Sequence, residues 1–408
     1  MPATLQFKYA VRDRGGHLVQ GELAAETEAA VVQRLKSMGY APVSIEQTGG
    51  GMSREIKIPG LGKKVTLKDL SIFSRQFATM INAGLSLMRA LDILSEQTES
   101  QELARVITEA RNDVEAGQSL SAAMGKHPKV FPPLMVNMCK AGEIGGFLDS
   151  VLLQIAENYE AEVKLRSKIK SAMTYPIVVG CIAIIALIIM LTFVVPSFAN
   201  IFKSLGTKLP MPTQILVDIS HWMKFMLPLG IIGAITATIV WKRIRHREDV
   251  RKVVDPWKLK VPVFGMLFSK VAIARFARNL GTMIRSGVPI LQALEIVSET
   301  TGNWTITAAV RDVQESVRQG ESLTQPLSQH DVFPPMVVQM MSVGEDTGAL
   351  DTMLAKIAEF YDQEVEATTE SLTALIEPIM IAVLGGLVGS MIVALYLPIF
   401  DVYNHIGS

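Results

Sequence analysis

Two stretches of the chain, "VFPPLMVNMCKAGEIGGFLDSVL" (Val130–Leu152) and "VFPPMVVQMMSVGEDTGALDTML" (Val332–Leu354), are identical at twelve of 23 positions and lie 202 residues apart. The likeness starts earlier. "FSRQFATMINAGLSLMRALDIL" (Phe73–Leu94) aligns with "FARNLGTMIRSGVPILQALEIV" (Phe276–Val297) at an offset of 203, and "VEAGQSL" with "VRQGESL" at the same offset. One residue then drops out, and the offset of 202 holds through Tyr159/Tyr361, Pro176/Pro378, Pro196/Pro398 and Phe198/Phe400. The fold must therefore hold two copies of one unit, each a polar-patterned domain followed by an apolar run.

Within each copy the pattern is helical. Phe73, Phe77, Met80 and Ile81, and their counterparts Phe276, Leu280, Met283 and Ile284, recur at spacings of three and four, one face of an amphipathic helix. Gly84 and Gly287, then Gly117 and Gly320, fall where such runs end, as helix C-caps do. Phe-Pro-Pro opens a new segment, because proline is tolerated in the first turn of a helix and not later. The pattern predicts a bundle of about six short helices per copy.

"GEIGG" and "GEDTG" interrupt the apolar pattern and predict a tight helix–helix turn built on Gly142, Glu143 and Gly146, and on Gly344, Glu345 and Gly348. Glu143 and Glu345 are placed to cap the helix that follows, where a carboxylate meets free backbone N–H groups. Contact with a partner is the other role open to them. No histidine or second carboxylate accompanies them in the pattern, so catalysis has no support.

Three stretches have the length to cross a bilayer, which takes about 20 apolar residues. No charge occurs between Lys170 and Lys203, nor across "PIMIAVLGGLVGSMIVALYLPIF" between Glu377 and Asp401. The third stretch, Phe225–Trp241, is shorter, and its aromatic ends suit the membrane interfaces. A buried core helix is the alternative there, but it would leave the two copies on opposite sides of the membrane. Lys164, Arg166, Lys168 and Lys170 precede the first span, and Lys242, Arg243, Arg245, Arg247, Arg251 and Lys252 follow the second. Positive flanks stay inside, which puts residues 1–170 and 242–377 in the cytoplasm.

Tyr175-Pro176 and Glu377-Pro378 occupy equivalent positions where the first and third spans begin, and proline there reads as a helix start or a kink. A carboxylate at a bilayer edge is either snorkelling or paired, so Glu377 anchors the span at the interface or contacts another helix or subunit. Gly385 and Gly389 form a G-x-x-x-G that permits close helix packing.

The N-terminal residues 1–46 alternate as strands in "LQFKYAVRD" and "HLVQGELAA" around an Arg-Gly-Gly turn. A short amphipathic helix follows, ending at Gly39, and then a last strand, "APVSIEQ". This predicts a β-β-α-β module on the mobile linker 47–66. The first residues carry charges where a signal peptide needs its apolar stretch. The remaining boundaries are a first bundle over 67–170, spans over 171–202, 225–241 and 378–400, an external loop over 203–224, a basic connector with the second bundle over 242–377, and an external tail over 401–408.

Composition excludes several classes. Lys plus Arg and Asp plus Glu number 39 each, without the basic excess that general nucleic-acid binding draws on. Two cysteines make no disulfide framework. "GLGKKVT" is not a phosphate-binding loop, and H-E-x-x-H, C-x-x-C and G-x-S-x-G are absent. His127 and His330 read as surface residues. A small-molecule or ion transporter built from repeats calls for polar residues at mid-bilayer, which the spans lack.

The doubled "FPPLMVNMCKAGEIGGFLD" and "FPPMVVQMMSVGEDTGALD", with "SAMTYP", "LIEP" and the closing "LYLPIF", resemble the inner-membrane platform proteins of type IV pilus and type II secretion machines, over roughly residues 5–403. The resemblance implies a mainly α integral membrane protein of the bacterial inner membrane, with two homologous cytoplasmic helical bundles, three transmembrane helices and a small α+β N-terminal module. It implies no enzymatic activity, cofactor or metal. Its implied partners are a cytoplasmic assembly or retraction ATPase, pilin or pseudopilin, other inner-membrane assembly proteins and further copies of itself, with a dimer favoured. Pilus, secretion and DNA uptake stay open, with the pilus preferred.

Overall fold

The computed structural model describes residues 5–12, 18–25, 28–37, 41–48, 64–204, 210–245, 247–262 and 264–406. They divide into two units, Met1–Lys63 and Lys64–Ser408. In the first, β1 (Leu5–Arg12) pairs antiparallel with β2 (Leu18–Ala25), Leu5 opposite Ala25 and Arg12 opposite Leu18. After α1 (Glu28–Ser37), β3 (Ala41–Thr48) pairs antiparallel with the other edge of β1, giving the order β2-β1-β3. Helix α1 buries Val31 and Leu35, one turn apart on the same face. The Arg-Gly-Gly turn, Gly39 and residues 49–63 of the linker lie outside the described residues.

The second unit opens at Thr66, whose hydroxyl accepts from Asp69 N at 3.2 Å while Asp69 Oδ2 accepts from Thr66 N at 2.8 Å, a reciprocal cap that fixes the start of α2. The first copy comprises α2 (Leu67–Asn82), α3 (Leu87–Gln97), α4 (Gln101–Glu115), α5 (Leu120–Gly125), α6 (Pro133–Gly145) and α7 (Leu148–Ile189). A π-helical turn (Met190–Val194), α8 (Val195–Ser204), α9 (Met211–Ile244) and α10 (Glu248–Lys260) lead to the second copy. That copy comprises α11 (Phe264–Arg285), α12 (Ile290–Thr300), α13 (Trp304–Arg318), α14 (Thr324–Leu327), α15 (Pro335–Thr347) and α16 (Leu350–Ile406).

The recurrence of Phe-Pro-Pro has a packing cause. Phe131 is buried against Phe73, ring centroids 5.8 Å apart, and Phe333 against Phe276 at 5.0 Å. Such pairs contribute about 0.5–1.5 kcal/mol beyond the area they bury. The second proline of each motif then occupies the first position of α6 or α15. Both bundles share one continuous apolar core.

Among the described residues, three helices have the length and apolarity to cross a membrane, with Leu148–Phe202, Met211–Ile244 and Leu350–Pro398 as their ranges. Several expected boundaries shift. No helix begins at Pro176 or Pro378: the last helix of each bundle continues through its proline into the span, so α7 and α16 join bundle to membrane without a break. The expected external loop 203–224 is largely helix, because α8 runs to Ser204 and α9 begins at Met211, well before Phe225; residues 205–209 lie outside the described set. Helix α16 likewise extends into the expected tail, to Ile406.

Candidate functional site

Each Gly-Glu element ends in a tight helix–helix turn, but only its last glycine makes it. Gly142 and Glu143 lie inside α6, Gly344 and Glu345 inside α15, and only Gly146 (φ 75°) and Gly348 (φ 70°) take the left-handed conformation that ends each helix. Gly142 is required by close approach instead. A Cβ there would stand 3.0 Å from Val151 Cγ2 and 3.1 Å from Leu148 Cα; at Gly344 it would stand 2.9 Å from Leu350 Cα. Each glycine lets the two arms of a sharp elbow touch.

The two glutamates do cap a helix, but an earlier one. Glu143 accepts from Leu120 N, from Ser121 N at 3.0 Å and from Ser121 Oγ at 2.5 Å, at the start of α5. Glu345 accepts from Leu323 N at 2.8 Å and Thr324 Oγ1 at 3.3 Å, at the start of α14. The free N–H groups of a short helix are satisfied from 22 or so residues away, which ties each elbow to the middle of its bundle. Cys139 packs beneath, and burial, with Glu143 as the lesser cause, pushes its thiol far above the usual range.

Sequence reading missed a duplicated ion pair. Arg75 donates to Glu160 from Nε and Nη2, both at 2.5 Å, and its counterpart Arg278 pairs with Asp362. These positions align in "FSRQF"/"FARNL" and "YEAE"/"YDQE", so comparing the copies could have found them. The Arg75 guanidinium holds the Glu160 carboxyl below the ordinary value. His127 and His330 also align, each only partly exposed and beside an acid, Glu109 Oε2 at 3.5 Å and Asp312 Oδ2 at 3.3 Å.

The copies meet through α6 and α7 of the first against α11 and α12 of the second. Buried Asn158 donates to Asn279 Oδ1 and Thr282 Oγ1, both at 3.2 Å. Ser286 Oγ donates to Gln154 Oε1 at 2.9 Å, Gln292 Nε2 to Asn137 Oδ1 at 2.8 Å, and Arg275 Nη2 lies 2.7 Å from Glu162. Beside this seam α7, α11 and α16 enclose an open cavity of about 540 Å³, lined by Asn158, Lys164, Arg278, Arg285 and Asp362 among others. The expected basic connector docks by Asp255 in α10, which is 4% exposed, accepts from Lys258 Nζ at 2.9 Å and caps α13 through Trp304 N at 3.1 Å.

Toward the membrane, α7 and α16 meet around Tyr175, Pro176 and Glu377, which share a groove of about 50 Å³ with Thr373 and Leu384. A proline inside a helix leaves the carbonyl one turn back without its donor. For Pro176 that carbonyl is Ala172 O, and the Thr373 hydroxyl lies 3.5 Å from it. For Pro398 it is Ala394 O, which accepts from Thr213 of α9. Pro196 follows the π-helical turn, whose i→i−5 register frees Leu191 O, and Ser220 of α9 donates to it at 2.5 Å. Thr213 and Ser220 are both buried and two turns apart. The unduplicated span thus supplies one hydroxyl to each copy of one proline, where Leu191, Val195, Met391 and Leu395 form a small core.

Glu377 is exposed, and its carboxylate has no ion-pair or hydrogen-bond partner among the described residues. Among the described residues, Glu377 thus forms no pair with a neighbouring helix of its own chain. Pro378 lies inside α16 as Pro176 does inside α7. Side chains added at Gly385 or Gly389 would meet nothing within 4 Å, so the G-x-x-x-G makes no close contact within the chain.

Over residues 73–196 and 276–398 the chain matches the model of a family described as type II secretion system (T2SS), protein F, and over residues 1–46 that family's N-terminal domain. The two matched segments are the two copies. A type IV pilus assembly protein PilC of Myxococcus xanthus (strain DK1622) is 45% identical over 401 residues, 98% of this chain and 95% of its own. One of Thermus thermophilus is 42% identical over 398 residues, 97% and 98% of the two chains. A type II secretion system protein F of Xanthomonas campestris pv. campestris is 32% identical over 408 residues, 98% and 99%.

Proposed function

The chain belongs to the type II secretion system protein F family, and from that membership we propose that it is the inner-membrane platform of a type IV pilus machine. The observation that carries the choice of machine is the margin among relatives spanning nearly the whole chain: 45% and 42% identity to two named for pilus assembly, against 32% to one named for secretion. In this reading both bundles face the cytoplasm and receive the push of a hexameric assembly or retraction ATPase, with other inner-membrane assembly proteins alongside. The module of residues 1–46 is a further contact for that motor. Helices α7 and α16 carry displacement into the bilayer, where pilin subunits are lifted into, or taken back from, a filament. The working form is a homo-oligomer, a dimer in the first instance.

Platform service in a type II secretion machine is the second reading, favoured by the full-length match to protein F. A chromosomal deletion, scored for surface filaments and for secreted proteins with complementation by the intact gene, separates them. Loss of filaments with secretion intact is the expected result. Loss of secretion alone transfers the platform role to the other machine, and no change in either removes it.

A further inference from the structure

Besides the like-to-like approach of α7 and α16, where Leu165 packs on Val365 and Leu372, the seam between the copies joins unlike faces, α6/α7 of one copy on α11/α12 of the other. Duplication means that each copy carries both faces. The first copy's version of the α11/α12 face lies on α2/α3, and the second copy's version of the α6/α7 face lies on α15/α16. Neither is covered. Ile72, the counterpart of Arg275, is 47% exposed, and Ala83, the counterpart of fully buried Ser286, is exposed as well. On the other end Phe360, the counterpart of Asn158, is 41% exposed against 6%, and Met336, the counterpart of Leu134, is 38% exposed against 5%.

We propose that these two ends are complementary surfaces for a second copy of this chain, whose α15/α16 face seats on α2/α3 and repeats the in-chain seam from head to tail. A heterologous contact propagates until rotation closes it into a ring. Parallel passage of α7 and α16 from bundle to membrane lets every bundle added this way hang from the same bilayer.

Transferring the seam through the two offsets pairs named residues. The Asn158–Thr282 contact becomes Phe360 against Thr79. Gln154–Ser286 becomes Lys356 against Ala83, and Asn137–Gln292 becomes Gln339 against Arg89. The bridge from Glu162 to Arg275 and Arg278 becomes Glu364 against Ile72 and Arg75, which keeps one pair of opposite charges. Where the in-chain seam uses the amide of Asn158, the free end offers a phenyl ring beside Tyr361, centroids 5.4 Å apart. Exposed aromatic rings of this kind are enriched as interface anchors. The contact gives a surface to the self-association within the platform reading and rests on that reading in this respect.

The test uses the full-length chain with Cys181→Ala, in native membranes. Oxidation of the double variant Thr79→Cys/Phe360→Cys, and separately of Ala83→Cys/Lys356→Cys, is expected to give a band at twice the chain mass that each single-cysteine variant lacks. With purified wild type in nanodiscs, Phe360→Asp is expected to raise the concentration for half-dissociation about tenfold or more. The ring also packs on buried Tyr361, so an unchanged melting temperature of Phe360→Asp in the same nanodiscs separates lost association from lost folding. A monomeric wild type overturns the contact. So does self-association that Phe360→Asp leaves unchanged and neither cysteine pair captures, or cross-linking of these cysteines to a different polypeptide alone. Filament and secretion phenotypes of the deletion strain are scored apart from these bands, so failure of the platform role and failure of this contact give different results.

Discussion

Glycine recurs in each elbow for two reasons that substitution separates. At Gly142 a side chain collides with Val151 and the Leu148 backbone, whereas at Gly146 there is open space and a positive φ. Gly142→Val is therefore expected to lower the stability of the first bundle by about 1–3 kcal/mol, the usual range for overpacking. Gly146→Asn, a residue that tolerates the left-handed region, should cost less than Gly146→Val. Chemical denaturation of the purified chain checks both, and equal losses for Gly142→Asn and Gly146→Asn would dismiss the distinction. Thr213 and Ser220 act by chemistry of a different kind, donating to carbonyls that Pro398 and Pro196 orphan. Replacing both by Val and Ala should cost about 1–2 kcal/mol, since interhelical hydrogen bonds in bilayers contribute about 0.6 kcal/mol each on average. Steric trapping or force unfolding in bicelles would read that loss. Wild-type resistance in the double variant would show that the carbonyls need no such donors.

At the scale of elements, what was legible followed periodicity and repetition. The proline starts of α6 and α15 and the glycine ends at Gly84 and Gly287 carry local signals, and comparing the copies doubles each one. The passage of α7 and α16 through Pro176 and Pro378 was not legible, nor was the true target of Glu143. The partner of Glu143, Leu120 N, is 23 residues away, and the hydroxyl nearest Ala172 O, that of Thr373 at 3.5 Å, sits on another helix. A single hydroxyl on another helix leaves no periodic trace. The α5–α6 clamp has a chemical readout, because the buried Cys139 thiol is held protonated above the usual cysteine range. In a Cys181→Ala chain, maleimide at neutral pH should label Cys139 only as fast as the bundle opens, and Glu143→Ala should accelerate it several-fold by removing the cap of α5. Immediate labelling of the parent would disprove the burial. The Arg75–Glu160 pair gives a pH signature with a definite sign. Glu160 titrates below its ordinary 4.5 when folded, so its stabilisation is whole above about that pH and fades as pH falls through the lowered value. The pair is well exposed, at 38% and 43% of its side chains, which limits the effect to under about 1 kcal/mol. Arg75→Gln should flatten the acid limb of the stability curve, and an unchanged slope would assign acid sensitivity elsewhere.

For the whole molecule the decisive feature is that each bundle is continuous with its own span. A helix of 42 residues, as α7 is, extends about 63 Å at 1.5 Å per residue, long enough to start deep in the bundle and finish well inside the bilayer. If the bundles are where a motor acts, mechanical continuity between Leu165, packed against Val365 and Leu372, and the knot at Leu191 is what delivers displacement to the outer end of the spans. Exposed Ser167, Lys170 and Ser171 lie on the stretch between bundle and bilayer, so changing them alters helix stiffness without altering packing. Converting all three to Gly lowers local helix stability by roughly 0.5–1 kcal/mol at each position relative to Ala, enough in sum to let the shaft open under load. The triple-Ala variant has the same lost charge and stays stiff. The expected outcome is that both variants insert and resist proteolysis alike, while surface filaments fall several-fold in the triple-Gly strain and hold near wild type in the triple-Ala strain. Equal filament counts in the two strains would mean that the bundles position partners without transmitting motion, and α7 would then be an anchor and not a lever.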